Sequence, residues 1–230
     1  MGKKPVGKTG PMAMSSGGAK REFVDFPSEK EKIEELIVNL FLYATQHIED
    51  ELKPFSDPIQ NQENDIDYSM NCAKGPVFVE LTEFAPLGEL GLKKHTDAPG
   101  QFSVGQMAQA AYNLIMKKSG RYSVENKILI VYKTQEEFFI TPPVREMLRR
   151  MFEKNGAPTF WRVYGLSPHS TTMASIDMIY PNKPHDFFTH LPDDQLAAKV
   201  YQVGFQRMVT FKSYAQYGWL PNSINVRFPD

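Results

Sequence analysis

Stretches with helical spacing of apolar positions alternate along this chain with stretches spaced as strands. Ile33, Leu36, Ile37, Leu40, Ala44 and Ile48 recur every three or four residues, which predicts an amphipathic helix over about 29–53. Ser28 and Glu31 supply the S-x-x-E pattern of a capping box, and Pro54 closes the run. Residues 54–64 read as a loop. Two strand-like stretches follow, 66–71 and 76–84, and the short gap from Cys72 to Gly75 predicts a hairpin. Residues 85–102 are rich in Gly and Pro and read as one long loop, a length that goes with function or mobility.

A second helix is predicted over 104–119, opened by a Ser103–Gln106 capping box and ended by Gly120 at C′. The continuous apolar run at 127–134 predicts a buried strand. Thr141-Pro142-Pro143 opens a third helix, where proline suits the first turn. Its apolar stripe is Val144, Met147, Leu148, Met151 and Phe152, and Gly156 ends it. Further strands are expected at 160–166 and 174–180, and a last helix at 193–207 with Leu196, Val200 and Val203 inward. The order α-β-β-α-β-α-β-β-α specifies an α/β domain with a mixed central sheet flanked by helices. Residues 1–21 read as a flexible basic tail, 22–182 as the α/β domain, and 183–230 as a helical C-terminal extension packed on it.

Composition narrows the function. The 230 residues are 41% hydrophobic and 23% charged, enough to bury a core and too apolar for a wholly disordered chain. With 26 basic and 27 acidic residues the net charge is −1, unlike a protein that coats nucleic acid indiscriminately. Lys3, Lys4, Lys8, Lys20 and Arg21 give the tail +5 with no acid, so the remainder carries −6. No apolar run approaches the roughly 20 residues that span a bilayer, and the N-terminus lacks a signal-peptide stretch. A single cysteine, Cys72, excludes an internal disulfide and a thiolate zinc cluster, and suits a reducing cytoplasm.

Candidate chemistry centres on the hairpin. Asp67 lies in its first strand and Glu80 in its second, so the turn can bring the two carboxylates side by side. Two hard oxygen ligands suit Mg²⁺, which keeps several waters for substrate phosphate and can activate one as nucleophile. Residues i and i+2 share a strand face, so Glu80 points with Thr82 and not with Glu83. Asp and Glu at strand ends are also commonly plain solvated charges.

The segments Asn64-Asp65-Ile66-Asp67-Tyr68 and Gly75-Pro76-Val77-Phe78-Val79-Glu80-Leu81-Thr82-Glu83 resemble the core of the PD-(D/E)xK nuclease-like superfamily. The following helix, ending Lys117-Lys118-Ser119-Gly120-Arg121-Tyr122, and the strand Lys127-Ile128-Leu129-Ile130-Val131-Tyr132 agree with that order over about 29–182. The resemblance implies a restriction-endonuclease-like fold, a Mg²⁺ or Mn²⁺ ion on Asp67 and Glu80, and hydrolysis of phosphodiesters in nucleic acid, with DNA favoured over RNA as substrate; the Leu81 carbonyl can complete the protein ligands. Two positions depart from the pattern. Ile66 stands where proline is usual, and Thr82 replaces the signature lysine. Threonine cannot supply the positive charge that holds the attacking water and offsets developing charge. In some lineages of the superfamily the lysine has moved to the neighbouring helix.

The second helix offers such a lysine. Stepping 100° per residue from Met107, Lys118 falls at about 20°, inside the apolar stripe, and Lys117 at about 280°, near its edge. A lysine there needs a partner for its charge, or its stem snorkels across the core to water. Glu34 borders the apolar face of the first helix and is a further candidate metal ligand. Other signals are weaker. The five histidines lack zincin spacing, and no Gly-rich phosphate loop is present. The aromatic C-terminal segment, including Phe187, Phe188, Tyr201, Phe205, Phe211, Tyr214, Tyr217 and Trp219, suits a core or a homodimer contact. Two readings remain: a metal-dependent endonuclease with Asp67, Glu80 and Lys118 catalytic, or a nuclease-fold protein without catalysis that serves as an interaction module.

Overall fold

The central strands are apolar on both faces, and a sheet of that kind has to be covered twice. The computed structural model describes residues 9–10, 12–15, 18–21, 23–62, 66–94, 101–121, 125–135, 138, 140–202, 209–211 and 224–226. Its elements in chain order are β1 (Met12–Ser15), β2 (Gly18–Arg21), α1 (Lys30–Thr45), β3 (Ser56–Gln60), β4 (Tyr68–Cys72), β5 (Gly75–Glu83), β6 (Gln101–Ser103) and α2 (Val104–Ser119). They continue with β7 (Lys127–Tyr132), α3 (Pro142–Asn155), β8 (Arg162–Pro168), β9 (Ala174–Tyr180), α4 (Asp193–Ala197), β10 (Val200–Gln202), β11 (Val209–Phe211) and β12 (Ile224–Val226).

Six strands form the main sheet in the order β3-β4-β5-β7-β8-β9. The inner pairs β5–β7 and β7–β8 are parallel, and the outer pairs are antiparallel. The fold is therefore α/β with a mixed sheet. Alternation along the strands divides the core in two. Val77, Val79, Leu81, Ile128, Ile130 and Tyr132 pack with α1 residues such as Ile37, Leu40 and Phe41. Leu129, Val131 and Phe84 pack instead with Met107, Ala111 and Ile115 of α2 and Val144 and Leu148 of α3.

The predicted hairpin forms with Cys72 opposite Gly75, leaving Ala73 and Lys74 as a two-residue turn. Gly75 has φ 105°, a conformation that side chains disfavour, so glycine is required there. The Ser103 hydroxyl accepts from the Gln106 N–H at 3.1 Å, and the Gln106 side chain accepts from the Ser103 N–H at 3.0 Å, the capping box read from sequence. Of the α3 stripe, Val144, Leu148, Met151 and Phe152 are buried and Met147 is half-buried.

Several expectations are corrected. α1 stops at Thr45, eight residues early, and its N-cap is Glu29 with no side-chain cap bond, so the Ser28–Glu31 box does not form. Gly120 caps α2 in a right-handed conformation rather than at a left-handed C′. The 54–64 stretch contains β3, which pairs with β4. The last helix is five residues, not fifteen: Val200–Gln202 is extended and pairs with β6. That pairing anchors the end of the segment read as a long loop, directly before α2. Within the basic tail, Met12–Ser15 and Gly18–Arg21 pair antiparallel. Asn64, Asp65, Tyr122, Val203, Phe205, Tyr214, Tyr217 and Trp219 lie outside the described residues, as do the side chains of Tyr201 and Phe211. Among the described residues no helix is long and apolar enough to cross a membrane.

Candidate active site

β5 is the strand that positions the chemistry. Strand alternation turns Val79 and Leu81 toward α1, and Glu80 and Thr82 toward α2. Glu80 stands next to the core of the α2 side and is 1% exposed. A carboxylate taken out of water needs charge or hydrogen-bond partners. One comes from α2: the Lys118 ammonium donates to Glu80 Oε1 across 38 positions of sequence. The helical wheel placed Lys118 on the buried stripe, and its side chain is indeed largely covered, with 20% exposed, while Lys117 faces solvent. Arg121 Nη1 lies 3.7 Å from the same oxygen. Glu80 Oε2 is buried with no hydrogen-bond partner among the described residues.

Asp67 reaches the same stretch of β5 from the bend just before β4, one position short of the strand in which the sequence pattern puts it. Its Oδ2 accepts from the Leu81 N–H at 2.7 Å. Tyr68 pairs with Val79 at the end of the β4–β5 ladder, and the same register carried one step further sets Asp67 opposite Glu80. The N–H groups of Phe78 and Phe84 donate toward the β7 side, to Asn126 and Tyr132 carbonyls. Leu81 faces the other way, toward Asp67. In extended backbone a residue's N–H and C=O share a side, so the Leu81 carbonyl faces Asp67 as well.

Glu34 lies on the other face of the sheet. It is 8% exposed and pairs with Lys30 at 3.3 Å. Two tyrosines report its neighbourhood. Burial, then the charges of Glu34, Glu35 and Asp67, push the Tyr68 hydroxyl up to about 12. Burial, followed by Glu83, Glu34 and Asp67, raises that of Tyr132. Glu83 itself accepts from Thr134 Oγ1. Glu34 and Glu83 thus bear on the tyrosines of the α1 side, whereas Glu80 sits among cations on the α2 side. Asp67, one position before β4, is close enough for its charge to act on Tyr68 and Tyr132 as well.

Sequence reasoning passed over Lys127, which is 2% exposed at the start of β7. Its ammonium donates to the Ser119 carbonyl at 2.9 Å and stands 5.1 Å from the centroid of the Phe160 ring. Burial lowers its pKa, and the Glu80 charge offsets part of that. The available signal was a lysine heading a strand that is otherwise apolar on both faces.

The donors fit a divalent ion in one respect: a buried carboxylate oxygen of Glu80 has no hydrogen-bond partner among the described residues, and a second carboxylate, Asp67, is hydrogen-bonded to the next residue of the same strand. Among the described residues, no three or more His, Cys, Asp or Glu side chains gather closely enough to hold an ion by themselves. Such an ion would take its remaining ligands from water or a substrate oxygen, as Mg²⁺ readily does. Comparison with protein-family models, curated proteins and solved structures gave no match.

Proposed function

We propose that the protein is a metal-dependent nuclease hydrolysing phosphodiester bonds in nucleic acid, DNA rather than RNA, in a cytoplasmic setting. One observation carries this reading. The Lys118 ammonium meets Glu80 from α2, which puts a cation beside the E-x-T motif that lacks its lysine. Mg²⁺ or Mn²⁺ held by Asp67, Glu80 and the Leu81 carbonyl would supply Lewis-acid stabilisation of the phosphate. Lys118 then orients the attacking water by hydrogen bonding and offsets charge as it develops on phosphorus-bound oxygens. Arg121, half-exposed beside the same carboxylate, is placed to meet a neighbouring phosphate.

The second reading, an interaction module without catalysis, draws on the same contact. Lys118 already occupies Glu80 Oε1, so a metal has to compete with an ammonium for that carboxylate. Titration with Mn²⁺ separates the two. The nuclease reading expects one saturable event and a rise in thermal stability, about 2.7 kcal/mol once the free ion is a hundredfold above its Kd. Glu80→Gln should remove both effects and keep the fold. A wild type unaffected by millimolar Mn²⁺, with nucleic acid present, would leave the module reading standing.

A further inference from the structure

We infer that Lys127 is a positioning residue that clamps the C-terminal end of α2 and thereby holds Lys118 on Glu80. The last turn of a helix leaves carbonyls without intrahelical donors, and such ends fray. Ser119 is the last residue of α2 and the neighbour of Lys118 in sequence. Its carbonyl receives two donors, Lys127 Nζ at 2.9 Å and Thr159 Oγ1 at 2.9 Å. Its hydroxyl accepts from the Thr159 N–H at 2.6 Å. The carbonyl has a lone pair for each donor, and what the ammonium adds to the hydroxyl depends on where it comes from.

Lys127 heads β7, the strand hydrogen-bonded in parallel to β5, and pairs in register with Phe78. Two steps along, Leu129 pairs with Glu80, so Lys127 and Glu80 share the sheet face that looks at α2. The strand bonded to the one carrying Glu80 therefore reaches up and fixes the helix end carrying Lys118. A cation at a helix C-terminus also complements the helix dipole. Burying an ammonium is costly, and packing alone does not call for one here, since a methionine of similar length would fill the same space.

The inference concerns the site of the proposed nuclease but not its chemistry, so its test uses neither metal nor nucleic acid. The protein is labelled with acetic anhydride under native conditions, and acetylation of Lys118 is followed by peptide mass spectrometry. Lys127→Met should raise the Lys118 rate about five- to tenfold, the scale of one lost hydrogen bond, with the circular dichroism spectrum unchanged. Tyr164→Phe, which removes the bond to Asp50 on the far face of the sheet, controls for general loosening and should leave Lys118 at the wild-type rate. An unchanged Lys118 rate in Lys127→Met overturns the inference, as does an equal rise in Tyr164→Phe. Should Lys127→Met fail to fold, Lys127→Gln, too short to reach the Ser119 carbonyl, is read by the same two outcomes. A failed Mn²⁺ titration would remove the nuclease reading and leave this result untouched.

Discussion

Lys118 differs from Lys117 by one position and by everything that surrounds it. One points into solvent; the other meets a carboxylate 1% exposed to water. On the nuclease reading, losing a donor of that kind costs about 10²–10³ in rate. Lys118→Ala should therefore nearly silence cleavage measured with Mg²⁺ and a DNA substrate, and Lys117→Ala should retain most of it. The metal-free protein gives an independent measure. Breaking a buried pair from one side costs about 3–5 kcal/mol; with Arg121 still 3.7 Å from the same Glu80 oxygen, Lys118→Ala should lower stability in chemical denaturation by less than that. Equal activity in the two alanine variants would end the idea of a relocated lysine. The position of Lys118 was legible because a single charge interrupted a regular apolar stripe. Lys127 was not, because a lysine at the first position of a strand reads as a solvated end until the packing around it is known.

At the scale of elements, the same limit explains what the pattern missed. β3 (sequence SDPIQ) is wholly exposed, carries Pro58, and has a bulge between Ser56 and Ile59 with Asp57 at φ 53°. Those are devices of a protected sheet edge, and they erase the alternation by which strands are recognised. The predicted terminal helix failed for a related reason: β10 becomes a strand only because β6 is there to pair with it. Glu146 stands beside the apolar stripe of α3 with nothing in the pattern to mark it, yet it is fully buried. It accepts from Arg149 at 2.7 Å, from Arg150 at 2.9 Å and from the His185 N–H at 3.1 Å, while Arg150 also binds the Phe188 and Leu191 carbonyls. Together they fasten the segment 185–193 across α3. Burial alone would raise the Glu146 pKa, but the two arginines and the His185 N–H outweigh it and lower the value to about 2. A depressed carboxyl stabilises the fold above its unfolded pKa, and the gain is lost as pH falls through the folded value. The contribution is up to about 3 kcal/mol, present near pH 5 and fading toward pH 2. Glu146→Gln should thus unfold more easily than wild type at pH 5 to 7, and urea titrations should show the gap narrowing below about pH 4. A gap that stays constant with pH would mean that Glu146 contributes by packing and not by charge.

For the whole molecule, charge decides how it meets a polyanion. The chain carries −1, of which the first 21 residues contribute +5, so the rest is repelled by nucleic acid on average. Attraction has to be local. At the candidate site Lys118, Arg121 and Lys127 gather around one carboxylate, a positive locus on an otherwise acidic body. Binding through a few such cations releases few counterions, and log K should fall with log salt by about 0.9 for each phosphate neutralised on duplex DNA. Fluorescence anisotropy with a labelled duplex, run without divalent metal to prevent cleavage, should therefore show weak binding at physiological salt, the site itself contributing a slope no steeper than about −3. Removing residues 1–21 should flatten the slope if the tail adds phosphate contacts, and Arg121→Ala should flatten it by about 1. Both changes act uniformly across sequences, because phosphate contacts position a duplex without reading it. Affinity that ignores salt would mean that contact is made through apolar or base-stacking surface instead. The exposed Phe187, stacked edge-on against Phe188, would then be the place to substitute next. No binding even at low salt would set the electrostatic argument aside and favour a protein partner, as the interaction-module reading expects.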